Sequence, residues 1–75
     1  MYGENLMTKD DAILVKLRAK AAIAELDAIV MDAQGRCSEE EFEKIRRAVG
    51  NSMVVILDQL LEPIFKIYPE IDDLR

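Results

Sequence analysis

The sequence predicts an all-α fold: an antiparallel two-helix hairpin that dimerises into a four-helix bundle. Three observations carry this expectation. Residues 9–34 contain neither Gly nor Pro and include seven Ala, the strongest helix former. A second segment carries an apolar stripe, Phe42, Ile45, Val49, Met53, Ile56, Leu60, Ile64 and Ile67, that advances in steps of three and four, as one face of a helix does. Only Gly35, Arg36 and Cys37 lie between the two segments, and so short a connection makes antiparallel neighbours.

Residues 1–7 are a mixed lead-in with Gly3 and Asn5, expected to fray. Helix 1 is expected over about 9–34. Thr8 and Asp11 have capping-box spacing, and Asp10 and Asp11 place negative charge at the positive end of the helix dipole. Gly35 suits the left-handed position that ends a helix. Helix 2 is expected over about 39–68. Ser38 and Glu41 form its capping box, with Cys37 and Phe42 at the hydrophobic-staple positions. Glu40–Lys44 and Glu43–Arg47 are acid-before-base pairs four residues apart. Gly50 and Pro63 weaken helix 2, but the stripe passes both in phase. One long helix is therefore predicted, kinked near Pro63. Residues 69–75 form an acidic tail, whose Ile71 and Leu74 are expected to cover the open end of the bundle. The whole is one helical-hairpin domain, with helices about 40–45 Å long at 1.5 Å per residue.

Each helix has more apolar surface than a hairpin partner covers. Helix 1 presents Val15, Ala19, Ala22, Leu26, Ile29 and Ala33 on one side. Ile13, Leu17, Ala21, Ala24, Ala28 and Met31 lie on another. Polar strips separate them: Lys9, Lys16, Lys20 and Asp27 on one side, Asp11, Arg18, Glu25 and Asp32 on the other. Helix 2 carries a second stripe, Val54, Leu57, Leu61, Phe65 and Tyr68. A helix apolar on two faces is buried on two faces. Val54, Leu57, Leu61, Phe65 and Tyr68, with Ile13, Leu17 and Met31, are therefore the expected interface with a second chain, which is itself or another protein.

Composition points the same way. The chain has 75 residues, 10 Lys+Arg, 15 Asp+Glu and a formal net charge of −5, with no His and one Cys. Small domains are marginal alone and draw support from disulfides, metals or oligomerisation. One Cys forms no internal disulfide, and a chain without His builds no Cys/His zinc site. Triads that use His are excluded within one chain. Cys37 sits before a helix N-terminus beside Arg36, a setting that favours reactive thiols, but no base or resolving thiol is near in sequence, and the staple role suffices. Asp58 and Glu62, four apart, are a weak carboxylate pair. No catalytic residue, cofactor or metal is expected.

The function expected is therefore a noncatalytic adaptor or small regulator acting as a homo-oligomer. The alternative is an RNA-binding regulator using Lys16, Lys20, Arg46 and Arg47, although the net charge disfavours nucleic acid. Residues 1–11 lack the basic start and apolar run of an export signal. The longest uncharged run, Ala48–Leu57, is too short to span a bilayer. With the free thiol, this predicts a cytoplasmic protein without a membrane segment.

Overall fold

A computed structural model of the chain describes residues 7–73. Helix α1 spans Lys9–Ala33 and helix α2 spans Glu39–Val55. The path of α2 continues through a wide π-helical segment, Ile56–Leu61, into helix α3, Glu62–Ile67. Pro69–Ile71 forms a single 3-10 turn. No strand occurs among the described residues. The helices pack as a hairpin with principal extents of 48 × 21 × 20 Å. The expected lead-in over 1–6 and the expected role of Leu74 lie outside the described residues.

Both capping boxes form. The Thr8 hydroxyl accepts from the Asp11 amide at 3.1 Å, and the Asp11 carboxylate accepts from the Thr8 amide at 3.1 Å. Ser38 and Glu41 do the same at 3.1 and 2.9 Å. Each box satisfies two amides that a helix start otherwise leaves without a partner. The Ser38 amide also holds the Glu41 carboxyl below its ordinary range. Gly35 takes φ +81°, directly after the last turn of α1. No other described residue has positive φ, so the reversal of direction rests on this glycine. Gly50 stays helical within α2. The ion pairs differ in one detail from the sequence expectation. Glu40 meets Lys44 at 4.0 Å, but Glu43 takes Arg46 in a two-pronged pair at 2.9 and 3.3 Å instead of Arg47.

The largest departure lies before Pro63. Proline has no N–H, and its ring crowds the carbonyl four residues back, here that of Gln59. The chain responds with a wider turn rather than a simple kink, and the Glu62 amide donates to the Leu57 carbonyl, five residues back. A π turn holds one extra residue, so everything after it is rotated by about 100° relative to a continuous α-helix. The expected stripe therefore changes partners. Ile64 stays buried, but Leu60 and Ile67 turn outward, while Leu61 and Phe65 turn in. Leu61 is fully buried and Leu60 is 43% exposed.

The core consequently sits at the open end of the hairpin. Ala12, Ala19, Leu61, Ile64, Phe65 and Ile71 form it, with Met7, Ile13, Val15, Ile56 and Tyr68 against its edge. Alanines on α1 leave room for the large side chains of the opposite helix. Toward the loop, Val49 is the sole buried residue among those described.

The tail closes this core from one side. Tyr68 turns the chain, and its hydroxyl donates to the Met7 carbonyl at 3.0 Å. Ile71 is buried beneath the turn, so it covers the open end as the sequence suggests. Lys9 pairs with Glu70 at 3.2 Å, and Asp73 pairs with Lys16 at 3.4 Å and Lys20 at 3.3 Å. The Lys16 ammonium also donates to the Ile71 carbonyl at 3.0 Å. Exposed pairs of this kind are worth about 0–1 kcal/mol each, whereas burying an Ile side chain contributes about 1.5–3 kcal/mol. Ile71 therefore holds the tail, and the lysines set where it lies.

Candidate interaction surface

Two shallow hollows follow one another along the face of the hairpin where α1 meets α2 and the π segment. The first, about 700 Å³, lies between Ala22, Glu25, Leu26 and Ile29 of α1 and Ser52, Val55 and Ile56 opposite. The second, about 370 Å³, lies between Leu14, Val15, Arg18, Ala19 and Ala22 of α1 and Leu60. Ala22 belongs to both, so the two make one groove. Its floor is apolar, and Arg18 and Glu25 are its charged members. Leu14, Ile29, Val55 and Leu60, all roughly half exposed, rise along it.

The residues expected at a second-chain interface divide into three groups. Leu61 and Phe65 are buried inside the chain; the π turn carries them into the core, and they offer no surface to a partner. Ile13 and Tyr68 are partly buried against that core. Leu17, Met31, Val54 and Leu57 are exposed, Met31 most of all at 69%. The structure adds Leu14, Val55 and Leu60 to the exposed apolar surface. Leu14 and Val55 fall outside both stripes of their helices, and Leu60 belongs to the first stripe of helix 2. Only the phase shift at the π turn reveals Leu60, and nothing in the periodicity announces that shift except Pro63.

The basic residues are dispersed among acids. Lys16 and Lys20 lie under Asp73, and the Lys16 side chain is only 13% exposed. Asp73 is held below the ordinary carboxylate range, first by its hydrogen bond from Lys20. Arg46 is engaged by Glu43, which lowers the Glu43 carboxyl and raises the guanidinium. Arg47 is exposed. Of the four cations, three are thus already partnered within the chain, and a phosphate backbone would have to displace those acids.

Cys37 is half-buried at the loop end and its thiol donates to the Ala33 carbonyl at 3.5 Å. A hollow there is lined by Gln34, Gly35, Cys37, Glu39, Phe42 and Glu43. Among the described residues no group of three metal-ligating side chains converges. The continuous stretch Glu39–Ile67 is long and apolar enough to cross a membrane by length and composition, a length that the uncharged run Ala48–Leu57 understates because Asp58 interrupts it. That stretch packs along α1, with Leu61, Ile64 and Phe65 buried within the chain.

Comparison of the chain with protein-family models, with curated proteins and with solved structures finds no match.

Proposed function

We propose that the chain is a noncatalytic helical interaction module, an adaptor or small regulator of the cytoplasm, that works as a homodimer of hairpins forming a four-helix bundle. The observation behind this reading is the apolar groove between α1 and α2, flanked by half-exposed Leu14, Ile29, Val55 and Leu60. Contiguous apolar surface of this kind marks interaction sites in soluble proteins. Shape supports the same reading. The radius of gyration is 15.5 Å, whereas a compact 75-residue domain has about 11 Å and a 150-residue one about 15 Å. The chain exposes 5747 Å², roughly 1,000 Å² more than a compact monomer of its mass, an excess comparable with one side of a standard interface at about 800 Å².

Native mass spectrometry of the protein, gently purified from its own cells at low salt with the thiol kept reduced, tests the proposal. The expected particle has twice the 8.5 kDa chain mass. A monomer at every concentration overturns the dimer. A particle carrying RNA replaces the adaptor reading with nucleic-acid regulation. A complex with a different protein assigns the groove to that protein. Partition of the protein into the membrane fraction would overturn the cytoplasmic assignment.

A further inference from the structure

We infer that the occupant of the groove is a second copy of this chain, docked antiparallel about a two-fold axis that passes beside α1 at the level between Ala21 and Ala22. This inference rests on the homodimer reading and supplies its register.

The exposed groove residues of α1 are arranged symmetrically about that point. Leu14 and Ile29 are equally distant from it, and so are Arg18 and Glu25. In an isologous contact each residue of one copy meets its mirror position in the other. Two copies of α1 laid antiparallel therefore place Leu14 against Ile29, and Arg18 against Glu25, twice over. Among the described residues neither Arg18 nor Glu25 has an ion-pair partner. Lys9, Lys16, Lys20, Lys44 and Arg46 are each paired, and of the described cations that are not, Arg18 is the one that lines the groove. The charges thus complement each other only between copies.

At the axis itself stand two alanines, which let helix backbones approach closely where they cross. Helix 2 agrees with the same axis. Ala22 lines both hollows, one walled by Val55 and the other by Leu60. An axis that passes beside Ala22 therefore passes α2 and its continuation between Val55 and Leu60, and brings each to the other across the interface. The register also places Asp11 and Asp32 at the same ends. A crossing angle of about 20°, usual in four-helix bundles, separates those carboxylates while keeping the centre in contact.

Charge exchange at the two polar positions tests the register. Both side chains are exposed, so the variants are expected to keep the helical circular dichroism of the parent. Arg18→Glu alone sets Glu against Glu25 at two places per dimer, and Glu25→Arg alone sets Arg against Arg18. Each is expected to weaken the dimer in sedimentation equilibrium by about tenfold or more, because juxtaposed like charges are strongly unfavourable at an interface. The double variant Arg18→Glu with Glu25→Arg restores opposite charges and is expected to return to within a few-fold of the parent. Ala22→Cys in a Cys37→Ser chain is expected to oxidise to a covalent dimer. Ala28→Cys is not, because its mirror position is about 20 Å away along the axis, beyond disulfide reach. A parent dimer that tolerates both single exchanges, or that the double exchange does not rescue, overturns this register while leaving the homodimer standing. A parent that is monomeric overturns both.

Discussion

Two neighbouring leucines separate the inside of the hairpin from its exposed groove. Leu61 is fully buried among Ala12, Ile64 and Phe65, whereas Leu60 points into the groove. Substituting each with glutamate therefore separates folding from association. Leu61→Glu buries a charge with no partner, which a small core does not absorb. A chain of this length has about 4–11 kcal/mol of stability, and even Leu61→Ala is expected to cost about 2–5 kcal/mol. Leu61→Glu is thus expected to lose helical circular dichroism at room temperature. Leu60→Glu places its carboxylate in solvent and is expected to leave the hairpin folded but monomeric. If Leu61→Glu stays folded and cooperative, the phase assigned after the π turn is wrong. If Leu60→Glu remains a dimer of unchanged strength, the groove is not the interface. The sequence shows both leucines to be apolar and on a helix. It does not show which one faces inward, because that choice depends on one extra residue in one turn.

At the scale of elements, the helix ends were the most legible features and the path between them the least. Thr8 with Asp11, Ser38 with Glu41, and Gly35 act within a few residues of chain, so local pattern determines them. The docking of the tail was only half legible. The sequence shows Lys9, Lys16 and Lys20 as a basic strip on one side of helix 1 without showing what lies on it; in the structure Glu70 and Asp73 of the tail pair with it. The segment around Pro63 departs from the sequence pattern because two stripes coexist there, one in α phase through Leu60 and Ile67 and one in π-shifted phase through Leu61 and Phe65. Proline selects the second by crowding the Gln59 carbonyl. A deletion exposes this arrangement. Removing the exposed Gln59 in a Pro63→Ala chain, where no ring crowds the carbonyl four residues back, takes the extra residue out of the π turn and leaves Leu61, Ile64 and Phe65 facing inward. Removing Asn51, equally exposed but within regular α2, rotates all later residues by about 100° and turns them out. In thermal unfolding the Gln59 deletion is expected to keep a cooperative transition and the Asn51 deletion to lose it. Equal loss in both would show that the π turn is not a one-residue insertion.

Among the described residues, buried apolar side chains are few and the charged contacts run from α1 to the tail. Glu41 at the start of α2, Glu43 beside Arg46, and Glu70 and Asp73 of the tail all have carboxyls held below their ordinary values. For Glu41 the first cause is the Ser38 amide and for Glu43 the Arg46 hydrogen bond. For Glu70 it is its own backbone amide, ahead of Lys9. A carboxyl whose folded pKa is depressed binds its proton more readily in the unfolded chain. Its contribution to stability is therefore complete above the unfolded value, 4.5 for Glu and 3.8 for Asp, and is lost as pH falls through the folded one. Neutralising the carboxylates also takes the formal charge from −5 toward the +10 of the Lys and Arg residues, and self-repulsion then acts in the same direction. The melting temperature is thus expected to be flat from neutral pH down to about pH 5 and to fall steadily below 4.5. Asp73→Asn removes the tail's link to Lys16 and Lys20, and should make the fall shallower in proportion to the share that link carries. A melting temperature that declines already between pH 7 and pH 5 would contradict the depressed values, because no His is present to titrate there.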